Sequence, residues 1–206
     1  MTDAPDTAGP TFVLASRSPR RRQLLLEAGY RFTVIAPPLA EPPTVPAAVA
    51  PSQHAESLAY FKARSVVERY RPTLPVLGAD TVVALGDRLF GKPADAADAR
   101  RILAALSGTR HEVITGVALI DPDGCRLIAS DVTHVRMRPM GRDELEAYIA
   151  SGLWEGKAGA YGIQDRDDPV VERIEGSFSN VVGLPLEQLP GLFAQLVMRH
   201  AYEELR

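Results

Sequence analysis

Only one cysteine, Cys125, occurs in 206 residues. That excludes an internal disulfide and any multi-cysteine metal site, and it suits a reducing compartment. No apolar run approaches the roughly 18 residues that a membrane-spanning helix needs. The first ten residues hold two aspartates and neither a basic n-region nor an apolar h-region, so no signal peptide is expected there. There is no excess of positive charge either. A net charge of −3 argues against a non-specific nucleic-acid binder. These absences together predict a soluble cytoplasmic protein that engages neither nucleic acid nor membrane.

Several catalytic signatures are missing too. No G-x-G-x-x-G follows the first apolar segment and no G-x-x-x-x-G-K-[ST] occurs, which removes dinucleotide-binding and P-loop readings. His111-Glu112 lacks the second histidine of a zincin, and His54, His111, His134 and His200 show no metal spacing. His111 is expected to bond backbone near a strand start. No G-x-S-x-G nucleophile elbow is present.

What remains is 46% hydrophobic and 24% charged, ordinary for a globular chain long enough to build a sizeable core. Residues 1–10 read as a disordered tail and 11–206 as a single domain. Thr11–Ala15 reads as a short buried strand, and Gln23–Gly29 as a helix ending on glycine. Six prolines between Ala36 and Pro51 make an exposed extended loop, either a stiff connector or a lid with Glu41 as its only charge. Ser52–Tyr70 reads as a helix with Leu58, Phe61, Ala63 and Val66 as its apolar stripe, broken by Lys62. Val76–Leu85 is nearly continuous in apolar residues, the pattern of a strand buried on both faces. Arg88–Phe90 pairs back as a short strand. Asp95, with Asp98 three residues on, caps a helix whose apolar face is Ile102, Leu103 and Leu106. His111–Ile120 and Leu127–Val135 are strands joined by the turn Asp121-Pro122-Asp123-Gly124. A helix over 143–149, a strand over 170–174 and an amphipathic helix over 186–204 complete the chain. Crossovers mixed with hairpins predict an α/β protein, a mixed sheet flanked by helices.

Three places carry chemistry. In Ser16-Arg17-Ser18-Pro19-Arg20-Arg21-Arg22, Ser18 suits an N-cap and Pro19 the first helical position. Three arginines then fall beside the positive end of the helix dipole, each costing roughly 0.3–1 kcal/mol if exposed and unpaired. Free backbone N–H groups, a hydroxyl and guanidinium forks together suit phosphate, so a polyanionic ligand is the natural compensation.

Asp80 lies inside the most apolar strand, where a carboxylate costs several kcal/mol unless it is paired, bonded or on a metal. It is either a divalent-metal ligand or a general base for water, unless backbone N–H groups or Thr81 simply satisfy it. Gly156–Gln164 packs three glycines and two alanines into nine residues, allowing close backbone approach to a ligand. There Lys157 is placed to meet phosphate, Tyr161 to pack beside a base and Gln164 to bond its edge. Lys92, between Gly91 and Pro93, is a weaker candidate.

Ser16–Arg21, Gly78–Thr81, Lys92-Pro93, Leu106–Gly108, Lys157–Gln164 and Asn180–Pro185, taken in order, resemble the Maf family of nucleotide pyrophosphatases from about Phe12 to Leu196. Lys-Ala-Gly-Ala-Tyr-Gly-Ile-Gln is similar to the branch acting on dTTP and UTP rather than the branch acting on 7-methyl-GTP. The resemblance implies hydrolysis of a nucleoside triphosphate to monophosphate and pyrophosphate with a divalent cation, Mg²⁺ or Mn²⁺. It implies an inosine triphosphatase-like mixed α/β fold with two lobes around a cleft, and a homodimer. It further implies Asp80 as catalytic proton acceptor, with Asp80 and Glu41 candidate metal ligands. Arg20, Thr81 and Gln164 match positions tied to substrate specificity, and Ser18, Arg21, Glu41, Lys62, Lys92 and Lys157 match the polar lining of the cleft, which assigns Arg20 and Arg21 to the site and Arg22 to solvent. Two departures stand out: Ala40 replaces a usual acid before Glu41, and the acidic Asp165–Asp168 replaces a glycine-rich run. They keep open a non-catalytic nucleotide-binding regulator of cell division as the rival reading.

Overall fold

Phe12 and Leu14 on the first strand pack with one set of side chains, Val13 and Ala15 with another. This two-residue alternation sets the layers of the molecule. The computed structural model describes residues 9, 11–38, 49–163 and 170–203. The expected tail falls outside the described residues apart from Gly9, as do residues 39–48 of the proline-rich loop.

In chain order the elements are β1 (Phe12–Ala15), α1 (Pro19–Glu27), β2 (Phe32–Val34), α2 (Pro51–Tyr70), β3 (Val76–Leu85), β4 (Arg88–Phe90) and α3 (Ala96–Leu106). They continue with β5 (Arg110–Ile120), β6 (Arg126–Met137), α4 (Arg142–Ser151), β7 (Val171–Glu175), α5 (Phe178–Val182) and α6 (Leu189–Glu203). The sheet order is β2-β1-β3-β5-β6-β7, with β4 also pairing to β3. β2, β1 and β3 run parallel through helical crossovers, and β3 onward is antiparallel, so the expected mixed α/β sheet is present.

On one face, Phe12 sits among Tyr30, Phe32 and Phe193 at 5.1–6.1 Å between ring centres. Leu24 and Leu25 of α1 and Leu189, Leu192 and Leu196 of α6 close this cluster. Further along the same face, Ile102, Leu103 and Leu106 of α3 pack with Tyr148 and Ile149 of α4 over Val83, Val113 and Val135.

On the other face, α2 is the only helix among the described residues. Its buried stripe is Ala55, Ala59, Ala63 and Val66, while Phe61 of the predicted stripe is 53% exposed. The sheet explains the difference. A Cβ on Gly78 would stand 2.3 Å from the Ala59 carbonyl oxygen, and one on Gly116 would stand 2.3 Å from the Ala55 carbonyl carbon. The helix therefore lies backbone to backbone on β3 and β5, and only alanines fit beneath it. Large apolar side chains such as Phe61 are pushed to the flank.

Local signals place the helix ends well. The Ser18 and Asp95 side chains accept from the N–H groups of Arg21 and Asp98. The final helix starts at Leu189, after a 3₁₀ turn over Leu186–Gln188. Two short elements, β2 and α5, carry too few residues for a period to show in the sequence.

Candidate active site

β1 stops pairing with β3 at Ala15↔Gly78, and β4 begins only at Val83↔Phe90. Between them, no strand among the described residues covers the β3 edge at 79–82. Here both faces of an otherwise buried strand open into one cleft of ≈ 1090 Å³. This is why Asp80 and Thr81, pointing to opposite sides of the sheet, line the same cavity. It is also where open α/β sheets place ligands, at a change of strand order beyond strand ends.

α1 forms one wall, the 155–163 segment with Lys92 another, and α2 a third through His54, Leu58 and Lys62. Those three recur every fourth residue and so share a helix face. Lys62 interrupts no stripe; it belongs to this second face. His54, set aside in the sequence for lack of metal spacing, and Leu58 join the site only because the helix turns them inward.

The Lys62 ammonium donates to Asp80 Oδ1, with the two side chains only 15% and 9% exposed. Asp80 stands opposite Gly116 in the sheet. The missing Cβ at Gly116 lets α2 come close enough for Lys62 to reach the carboxylate.

The arginines divide by position. Arg21 is buried, donating from Nε to the Gly183 carbonyl at 2.6 Å and from Nη2 to Thr81 Oγ1 at 2.9 Å. Arg20 Nη2 reaches the Gly156 carbonyl at 2.8 Å, joining α1 to the facing wall. Arg17 donates to the Pro37 carbonyl at 2.7 Å, while Arg22 is exposed as expected. Ser18 caps the helix and lines the cleft. Lys92 and Lys157 line it too, and the Lys157 side chain lies against Gly162, where a Cβ would meet Nζ at 2.6 Å. Ala160, buried in the same segment, holds a left-handed φ of 63°, strain of order 1–3 kcal/mol in a non-glycine residue. Glu41, Gln164 and the departures at Ala40 and Asp165–Asp168 lie outside the described residues.

One expectation needs correction. His111 bonds a side chain rather than backbone: Nε2 is 2.7 Å from the Tyr161 hydroxyl, with the rings edge to face. Burial pushes the histidine down to about 4, so it is neutral near pH 7 and serves as a fixed hydrogen-bond partner. Tyr161 is largely buried, 4% exposed, with its hydroxyl and one ring edge at His111, and it also lines the cleft.

The described lining carries six cations, Arg17, Arg20, Arg21, Lys62, Lys92 and Lys157, against two carboxylates, Asp80 and Glu155. In a chain of net charge −3 this is a local positive field in a concave, partly apolar site, suited to a polyanion. A metal test gives a narrower answer. Among the described residues no three His, Cys, Asp or Glu side chains converge, so no all-protein cage exists there. One carboxylate plus substrate phosphate oxygens is nevertheless the usual way Mg²⁺ is held. The residues present fit a cation that is bound chiefly by the ligand.

A family model described as Maf-like protein matches residues 11–196. A dTTP/UTP pyrophosphatase of Symbiobacterium thermophilum is 44% identical over 183 residues, covering 89% of this chain and 92% of the relative. One from Cereibacter sphaeroides is 46% identical over 186 residues, covering 89% and 94%. Among solved structures, a nucleoside-triphosphatase / dITP/XTP pyrophosphatase of Mycobacterium abscessus is similar at 17% identity. It covers 94% of this chain and 96% of that one, with a TM-score of 0.45.

Proposed function

The chain belongs to the Maf family, and from that premise we propose that it hydrolyses nucleoside triphosphates, dTTP and UTP preferred, to monophosphate and pyrophosphate. The observation that carries this is Asp80, buried yet opening into a cleft with six cations. Arg17, Arg20, Lys92 and Lys157 receive the triphosphate, and Arg21 adds charge from the wall. Lys62 holds Oδ1 of Asp80, leaving Oδ2 to take the proton of the attacking water. The water oxygen bonds to the α-phosphorus as its bond to the bridging oxygen breaks, and pyrophosphate leaves with that oxygen. Positioning and charge stabilisation supply most of the acceleration. A divalent cation, Mg²⁺ or Mn²⁺, would be held by Asp80 with Glu41 as second ligand, and would polarise the phosphate and neutralise its charge. Arg20, Thr81 and Gln164 govern substrate choice in this reading.

The same proposal makes the protein a cytoplasmic enzyme and a homodimer. In support, no helix among the described residues is long and apolar enough to cross a membrane. Light scattering of the purified protein tests the dimer.

The direct experiment incubates the protein with dTTP, UTP, CTP, GTP and 7-methyl-GTP and Mg²⁺ or Mn²⁺, and measures pyrophosphate. Asp80→Asn should lower turnover by about 10²–10⁴-fold with an unchanged circular dichroism spectrum. Binding without pyrophosphate, orthophosphate as the product, or near-normal turnover by Asp80→Asn would each refute the reading. A preference for 7-methyl-GTP would keep the chemistry and overturn the base assignment.

A further inference from the structure

Arg21 is held at the cleft wall by a chain of hydrogen bonds whose direction is set from within the core. Thr115 is fully buried, and its Oγ1 donates to the Asn180 carbonyl at 3.0 Å. A carbonyl only accepts and a hydroxyl has one proton, so the Thr115 proton is committed. Thr81 Oγ1 lies 2.9 Å from Thr115 Oγ1 and must therefore be the donor in that contact. The Thr81 proton is then committed as well, and Thr81 turns only lone pairs toward the cleft. One of them receives Arg21 Nη2–H at 2.9 Å.

The far end of the chain is immobilised. The Asn180 side-chain amide donates to the Val113 carbonyl at 3.0 Å and to Thr133 Oγ1 at 2.9 Å, tying α5 to β5 and β6. The other arm of Arg21 ends on the Gly183 carbonyl, at the end of the same segment. Both arms of the guanidinium are thus referred to one short stretch, 180–183, bolted to the sheet.

We infer that Thr115 is a positioning residue for nucleotide binding. It touches no ligand, but it fixes Thr81 as an acceptor and so holds Arg21 in the cleft wall. This rests on the proposed triphosphate ligand and on no assumption about turnover.

The test measures the affinity of α,β-methylene-UTP by calorimetry in Mg²⁺, using the full chain. Thr115→Val keeps the shape and removes the hydroxyl, and should weaken binding about three- to tenfold. Thr115→Ser restores the hydroxyl and should bind within about twofold of the wild type. Arg21→Met should weaken binding at least as much as Thr115→Val, and Thr115→Val should add nothing further in that background. A merely structural role would weaken binding by the same factor in both backgrounds. Wild-type affinity for Thr115→Val, equal losses for Val and Ser, or additivity with Arg21→Met would each overturn the inference.

Should Thr115→Val fail to fold, Thr81→Val removes the same acceptor from the rim of the cleft and must show the same loss and the same non-additivity. A wild type that binds the analogue but releases no pyrophosphate from dTTP or UTP sinks the proposed function and leaves this inference to the binding data. A wild type that does not bind it overturns both.

Discussion

Gly116→Ala should damage catalysis from beneath the site, at a residue that does not itself line the cleft. The added Cβ would lie 2.3 Å from the Ala55 carbonyl carbon, where ordinary contact begins at 3.4 Å. The obstruction is helix backbone, so no side chain can swing aside, and α2 must retreat by about 1 Å or the sheet must bend. Overpacking of this kind costs about 1–3 kcal/mol, which in a chain of this size lowers the melting temperature by roughly 2–12 °C. The same retreat draws Lys62 away from Asp80, whose contact depends on the close approach of helix and strand. Misplacement by about 1 Å costs on the order of 100-fold in rate. Calorimetric melting and pyrophosphate release from dTTP read the two effects on one sample. A variant with the wild-type melting temperature and kcat/KM within about threefold would show that the backbone contact between α2 and β5 does not set the site.

Lys62→Met removes the cation bonded to Asp80 while keeping most of the side-chain length, so a divalent ion no longer competes with an ammonium. Mn²⁺ binding without nucleotide, followed by electron paramagnetic resonance, should tighten about tenfold as turnover falls; unchanged Mn²⁺ binding would dissociate Lys62 from the metal site. His111 is driven down to about 4 by burial against 6.5 in the unfolded chain, so the unfolded state binds more protons between those values. The histidine therefore costs no stability above about pH 6.5 and removes up to about 3 kcal/mol as pH falls to 4. Urea melts at pH 4.5 and 7.5 should show a smaller loss for His111→Gln than for the wild type, and equal losses would refute this account. Arg22→Ala, at an exposed position of the same helix turn as Arg21, should leave KM for dTTP within about twofold; a large rise would move Arg22 into the site.

Much of the site could be read from residues one at a time because each broke a local rule. Arginines at a helix start, a carboxylate inside an apolar strand and a lysine among glycines are locally unfavourable; the Lys62 ammonium answers the carboxylate, and a polyanionic ligand would offset the cations. His54 and Leu58 broke no rule, being unremarkable residues on an amphipathic helix, and Thr115 and Asn180 were ordinary strand and short-helix residues. The partner of His111 was misjudged because nothing near it in the chain announces Tyr161, fifty residues away. The Phe61 error has the same origin, since helix periodicity reports an apolar side but not the depth of the surface that receives it.

The sequence by itself determined the α/β class, the helix caps at Ser18 and Asp95, most strand boundaries and the family. These follow from neighbours in the chain: capping hydroxyls, two-residue alternation and charges in the wrong place. Tertiary structure decided which side chains share the cleft. β1 ends at Ala15 and β4 starts at Arg88, and the bare stretch of β3 between them exposes both faces of one strand. Gly78 and Gly116 seat α2 so low that Lys62 meets Asp80, and the Gly183 carbonyl, just after α5, accepts from Arg21. Register, edge exposure and helix depth join residues far apart in the chain, and no local pattern encodes them.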